Sequence, residues 1–260
     1  MKKFGRILIV IFLIAVVVWT YRVEFSRKYV VPIMMYHNVE DEENVDHLNG
    51  TSVVNFDTQM TFLKKWKYNV ISLKELVDAS TSQNALPHNS VVITFDDGYA
   101  DNYYKAFPIL KRHGFPATIF IVPEDIGKEG FLTWDQTQEM EAFGIMVQSH
   151  TLNGSYLPEL SEVDQEREIK KSKRVIESKL NHKILFLCYP TGGFTPRVQE
   201  LAREVGYKAA CTTNRGYDRF NRNLYELNRI RFGDKDRFAI ILWGKLSGYY
   251  NLFRKSVHPY

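Results

Sequence analysis

The chain reads as an α/β protein built on a mostly parallel sheet. Three features of the sequence predict this: strand-like runs that are apolar almost throughout, helical patterns between them, and polar clusters at the carboxyl ends of the runs. Strands that are apolar on both faces need cover on both faces, and interleaved helices supply it. Seven such units suit a closed or nearly closed barrel.

Strands are predicted over Tyr29–His37, Asn69–Leu73, Val91–Phe95, Ala117–Val122, Ile145–Ser149, Ile184–Tyr189 and Tyr207–Thr213. Helices are predicted over Phe56–Trp66, Tyr99–Lys111, Asp135–Phe143, Asp164–Leu180 and Pro196–Val205, with Gly114 and Gly206 as stops. The charged stretch Glu162–Lys183 mixes both signs and keeps Ile169, Val175, Ile176 and Leu180 to one side, as a solvated helix face does. The polar stretch Glu40–Thr51 follows the first strand, on the face where a barrel carries function. It reads equally as the wall of a groove and as a plain solvated excursion.

No shift in composition divides residues 29–260, and 45% hydrophobic residues provide for one sizeable core. A net charge of +4 without a basic block argues against a nucleic-acid partner. Cys188 and Cys211 lie in apolar strand-like runs and read as small core residues rather than a disulfide framework.

Residues 1–28 stand apart. Lys2, Lys3 and Arg6 precede the apolar run Ile7–Trp19, which Thr20 and Tyr21 extend to 15 residues. As a helix this covers about 22 Å, against a hydrocarbon thickness of ~30 Å. A basic head before an apolar segment predicts export, and Val17-Val18-Trp19-Thr20-Tyr21 offers no small-x-small cleavage site. The expectation is a membrane anchor or signal segment at 1–28, uncleaved in preference to cleaved, and a catalytic domain at 29–260. The protein is then single-pass in the cell membrane with that domain outside, or secreted if the segment is cut.

Three polar clusters end predicted strands: Asp96-Asp97-Gly98, Ser149-His150-Thr151 and Tyr189-Pro190-Thr191-Gly192-Gly193. Strand ends of a parallel sheet share one face, so these clusters can converge. A carboxylate and an imidazole are ordinary ligands of a divalent ion, which acidifies a water it binds. The second carboxylate is then available as a base. Gly192 and Gly193 allow close approach of peptide N–H groups to an oxyanion.

These residues resemble the polysaccharide deacetylases of the NodB-homology class, carbohydrate esterase family 4. The resemblance runs over roughly residues 30–215: Val31-Pro32-Ile33-Met34-Met35-Tyr36-His37, Phe56-Asp57-Thr58-Gln59-Met60, Tyr68-Asn69-Val70-Ile71-Ser72-Leu73, Thr94-Phe95-Asp96-Asp97-Gly98, Ser149-His150-Thr151 and Tyr189-Pro190-Thr191-Gly192. It implies a distorted (β/α) barrel of seven or eight parallel strands. It also implies a metal-dependent hydrolase, with zinc as the expected ion, that removes N-acetyl groups from N-acetylglucosamine-containing polysaccharide such as peptidoglycan or an exopolysaccharide. Carried across, Asp96 is the catalytic base, Asp97 and His150 are metal ligands, and the Tyr189 backbone contributes to the oxyanion pocket. An arginine supports the base in the family; Arg229 or Arg231 pointing inward to pair with Asp96, with Arg229 assigned that part, and a surface strand with both arginines turned outward are equal readings. Tyr156 and Trp134 are candidate sugar-stacking residues at the rim.

The sequence departs from the family at two places. The family's further metal-binding histidine, four or five positions after the one matching His150, is here Gly154 or Ser155. Asn153, Ser155, His47, His182 and His258 are the groups open to completing the set. The general-acid histidine expected near the C-terminal strand is missing from Phe238–Gly244. Both departures leave open a catalytically silent relative that binds glycan or serves as an envelope scaffold.

Overall fold

The computed structural model describes residues 13–20, 23, 24, 26–45, 49–82 and 84–260. Its centre is a curled, open, parallel sheet in the order β10-β1-β5-β6-β7-β8-β9, with β4 added beside the start of β5. The strands are β1 (Ile33–Tyr36), β2 (Val39–Glu40), β3 (Thr51–Ser52), β4 (Asn69–Val70), β5 (Ser90–Phe95), β6 (Ala117–Ile121), β7 (Ile145–Ser149), β8 (Phe186–Cys188), β9 (Ala209–Cys211) and β10 (Ile230–Arg231). β2 and β3 form a separate two-stranded ribbon, so the stretch after β1 is partly structured. The architecture is the distorted half-barrel that the sequence predicts.

Side chains alternate across each strand, and this alternation decides what the barrel encloses. Ile33, Val92, Phe120, Phe186, Cys188, Ala209 and Cys211 pack in one cluster with Leu73, Leu76 and Val77 of the helix Leu73–Ser82. The intervening Met34, Ile93, Phe95, Ile119, Ile121, Val147 and Leu187 form the larger core that the outer helices cover. Two residues beyond Val92 and Thr94 the inward position is Asp96; the same step from Gln148 reaches His150, and from Phe186 it reaches Cys188. The inner face thus runs from apolar to polar toward the carboxyl ends of the strands.

Helix starts follow side-chain caps. Ser52 caps Val53–Lys65, Thr133 and Gln136 form a capping box on Trp134–Ala142, Ser161 caps Glu162–Leu180, and Thr195 caps Pro196–Glu204. The helix expected over Tyr99–Lys111 is realised as a π-helical turn, Asn102–Ala106, followed by the α-helix Phe107–His113. Pro108 has no N–H to give to the carbonyl four residues back, which removes an α-helical bond at the junction. The region Phe238–Gly244, expected near a strand, belongs to the helix Ala239–Leu246, with Ile240 72% exposed.

The expected membrane anchor is corrected: among the described residues no helix is long and apolar enough to cross a membrane. Residues 7–12 and 21 of the expected span lie outside the described residues. The membrane partner, the single-pass topology and the cell-membrane location fall with the span.

Candidate metal centre and active site

Asp96 and Arg229 form the floor of the site. Arg229 immediately precedes β10, which pairs with β1, so its side chain reaches across to the end of β5. Its Nη1 and Nη2 each donate to one carboxylate oxygen of Asp96 at 2.6 Å, and both side chains are buried. Thr94 Oγ1 and the Thr212 carbonyl take further N–H groups of the guanidinium, and the Phe120 ring lies 5.6 Å from its carbon. Burial alone would raise the pKa of Asp96, but the charge and hydrogen bonds of Arg229 drive it well below the usual carboxylate range. Arg231 is exposed, so Arg229 is the inward arginine.

Asp97 and His150 stand above this pair. Asp97 adopts a left-handed backbone (φ 72°), which is costly for a side chain with a Cβ and turns its carboxylate toward His150. Gly98 continues the turn at φ 79°, where a Cβ would come within 3.0 Å of the Ile121 side chain. The backbone of His150 is fixed by an N–H bond to Ile121 of 2.8 Å. Its ring Nδ1 lies 2.9 Å from the Cys188 carbonyl oxygen, and its Nε2 lies 3.4 Å from Asp97 Oδ1. A carbonyl can only accept, so Nδ1 carries the proton and Nε2 faces the carboxylate. Burial disfavours charge on the ring, but Cys188, Asp97 and Asp96 outweigh it, and the His150 pKa is raised well above its ordinary value. Burial, with the neighbouring Asp97 charge, pushes the Tyr99 phenol up to about 12.

Two further groups at the site were not picked out from the sequence. Cys188 is buried between Arg229 Nη2, 3.0 Å from its Sγ, and Asp96 Oδ1 at 3.7 Å. Asp96, His150 and Cys188 offer ligand atoms that all lie within 4.8 Å of one another, a cluster able to coordinate a divalent ion. Cys211, its register partner on β9, is also a buried free thiol. His37 follows β1, in register with the end of β5, and its Nε2 lies 3.9 Å from Asp96 Oδ2. Burial lowers its pKa despite Asp96 and Asp97, and its buried Nδ1 has no hydrogen-bond partner. The signals were present in the sequence: Cys188 is two residues past Phe186 on an inward period, and His37 ends a predicted strand.

The remaining expectations meet mixed outcomes. The Tyr189 N–H donates to Cys211 O at 3.0 Å in the β8–β9 ladder, and its ring is fully buried. The amide assigned to an oxyanion pocket is therefore already spent on the sheet, and the N–H groups of Gly192 and Gly193 are taken by Tyr189 O and Pro190 O. Tyr156 lies on the turn at Gly193, where any Cβ would meet its ring at 2.1 Å, with the Arg215 guanidinium carbon 5.7 Å from the ring. Trp134 does not join it; it packs against the outer core with Lys179 over its ring at 6.0 Å. Asn153 Oδ1 accepts from Ser155 N and Oγ, so those two groups bind each other. His182 pairs with Glu141 at 2.8 Å, and His258 bonds the Tyr260 carbonyl, both exposed. His47 lies outside the described residues.

Comparison with known proteins supplies the lineage. The family model described as "Polysaccharide deacetylase" matches residues 83–210. YxkH of Bacillus subtilis (strain 168), which carries the polysaccharide deacetylase name, is 31% identical over 201 residues, covering 77% of this chain and 71% of that protein. A poly-β-1,6-N-acetyl-D-glucosamine N-deacetylase of Staphylococcus aureus is 27% identical over 193 residues, covering 69% of this chain and 66% of its own length. Among solved structures, the Streptococcus pyogenes deacetylase PplD in complex with acetate aligns with a TM-score of 0.74 at 30% identity, over 82% of this chain and 97% of that one. IcaB from Ammonifex degensii aligns with a TM-score of 0.73 over 84% and 97% of the two chains, but at 24% identity it speaks for the fold alone. With a half-barrel of this topology, the paired aspartates just after β5 and a relative of this closeness, the chain belongs to the polysaccharide deacetylase family.

Proposed function

We propose that residues 29–260 form a metal-dependent hydrolase domain that removes N-acetyl groups from an N-acetylglucosamine-containing polysaccharide, with zinc as its ion. One observation carries this reading: His150 Nε2 faces Asp97 Oδ1 at 3.4 Å while Nδ1 is committed to the Cys188 carbonyl. Ligand atoms sharing a tetrahedral zinc at bonds of about 2.1 Å lie ~3.4 Å apart, and a histidine ligand normally gives its other nitrogen to a carbonyl or carboxylate. Asp97 and His150 thus fit as two of the three protein ligands a catalytic zinc normally takes, and Asn153, Ser155, His182 and His258 are engaged elsewhere. Asp96 and Cys188 also lie within reach of His150, but Arg229 already holds both oxygens of Asp96 and contacts the thiol, and a guanidinium beside a cation opposes it. Bound between Asp97 and His150, the ion would polarise an acetyl carbonyl and acidify water.

The rest of the chemistry belongs to the protein. Asp96, kept ionised by Arg229, is the base that takes a proton from the attacking water. His37, 3.9 Å away, is the group that protonates the departing amine. Burial holds its pKa below the ordinary value, so near neutrality the proton it delivers is the one Asp96 has just received. Proton balance closes: water gives its hydroxyl to the acetyl carbon and its proton to the sugar nitrogen, leaving acetate and a free amine. The names of relatives support the substrate class, N-acetylglucosamine polymer for the Staphylococcus aureus protein and acetate as the ligand held by PplD.

The test is acetate release from N-acetylglucosamine oligomers. Release should disappear on chelation, return with zinc, and be lost in Asp96→Asn. No release with any divalent metal from a folded protein would overturn the reading. Glycan binding without release, unchanged by chelation and by Asp97→Ala, would favour a binding module, to which Gly154 in place of a family ligand points.

A further inference from the structure

Glu168 is a carboxylate with no exposure to solvent, on the inner face of the helix Glu162–Leu180, remote in sequence from every motif of the site. Its Oε2 accepts two successive backbone N–H groups, from Leu152 and Asn153, each at 3.0 Å, and its Oε1 has no partner. Those N–H groups belong to the turn that immediately follows His150. Thr151 enters it in the left-handed conformation (φ 65°), and the Gly154 N–H closes it on Thr151 Oγ1 at 3.2 Å. Successive N–H groups after a left-handed residue point to one side and form a concave anion seat. In many proteins such a seat takes a ligand; here the chain fills it with its own side chain.

We infer that Glu168 is a positioning residue for the metal ligand His150. The inference rests on the metal reading above and adds to it a residue that touches neither ion nor substrate. His150 is held on three sides: by Ile121 O through its N–H, by Cys188 O through its ring, and by Glu168 through the turn that leaves it. The first two anchors are ladder neighbours on β6 and β8. The third comes from an outer helix and acts on the two N–H groups of the chain as it departs from His150. With no histidine at Gly154 or Ser155 to tie this turn to an ion, the buried carboxylate holds it together with the Glu124 N–H, which donates to Leu152 O at 3.2 Å, and the Thr151–Gly154 closure.

The experiment measures the zinc affinity of the full chain by competition with a chromophoric chelator. Glu168→Ala should weaken zinc binding by about 10–100-fold, the range seen when a ligand's supporting partner is removed. Glu168→Gln, which keeps an oxygen to accept both N–H groups, should stay within about threefold. Gln165→Ala is the structural control: Gln165 lies nearly one turn earlier on the same helix and also makes two buried bonds to backbone, but to Leu157 and Leu160. It should leave zinc affinity unchanged. A folded Glu168→Ala protein with wild-type affinity, or an equal loss in Gln165→Ala, overturns the inference. If Glu168→Ala does not fold, Glu168→Ser, too short to reach the two N–H groups, takes its place: a loss of about tenfold or more is expected, and a folded protein with wild-type affinity overturns the inference. His150→Ala separates the two levels: wild-type zinc affinity there removes the metal reading together with this inference, whereas a large loss there beside a normal Glu168→Ala removes this inference alone.

Discussion

At the scale of single residues, the pair Asp96–Arg229 shows how a buried charge is kept usable. Each carboxylate oxygen receives an N–H at 2.6 Å, and neither group meets solvent. Arg229→Met should therefore cost about 3–5 kcal/mol in urea unfolding, because it strands the aspartate in the interior, and should abolish acetate release. A loss under 1 kcal/mol would mean that Asp96 takes up a proton cheaply and the pairing matters little. His37 makes a different prediction. His37→Ala should lower kcat by about 10²–10⁴, the usual contribution of general acid–base catalysis, and leave zinc affinity unchanged. Unaltered turnover would remove His37 from the mechanism.

At the scale of elements, the contact between β7 and β8 is thin and a side chain reinforces it. The two strands share the single register pair Ser149–Leu187. Just before it, Gln148 Oε1 accepts the N–H groups of Leu185 and Phe186 at 2.9 and 2.8 Å, replacing ladder bonds that the curl of the sheet prevents. Gln148→Leu should leave both unpaired, at about 1–3 kcal/mol each, and raise hydrogen exchange at those two amides first. Exchange rates equal to wild type would show that the ladder closes without it. The π-turn Asn102–Ala106 likewise serves the neighbouring strand end, since Asn102 Nδ2 donates to the carbonyl of His37 at 2.8 Å.

At the scale of the whole molecule, two carboxyl groups work against each other as pH changes. Burial pushes Asp101 up to about 6, although Asn38 and Asn102 donate to it. A carboxyl that titrates near 6 when folded and near 3.8 when unfolded is a burden while ionised: the cost is full above pH 6 and is relieved as pH falls toward 4, by at most ~3 kcal/mol. Asp96 has the opposite sign. Its folded pKa is depressed, so its stabilising effect is present above about pH 4 and is lost only in more acid solution. Wild type compared with Asp101→Asn should accordingly gain relative stability between pH 7 and 4.5. A flat difference across that interval would show that Asp101 titrates normally.

The repeating strand–helix order, the convergence of Asp96 and His150 at strand ends, and the family resemblance are legible in the sequence alone. Apolar continuity and the Thr94–Gly98 string are local properties, and they survive without knowledge of neighbours. It did not decide which arginine turns inward, because Arg229 and Arg231 occupy alternate positions of one run and only the pairing of β10 with β1 selects a face. Nor did it reveal His37 as the group beside the base. The family's chain order points to Phe238–Gly244, which folds as an exposed helix, while strand order in space puts β1 directly beside β5. Cys188 and Glu168 were read as core and as solvated charge for the same reason: burial and hydrogen-bond partners are set by elements distant in sequence, and only the closed tertiary structure brings those elements together.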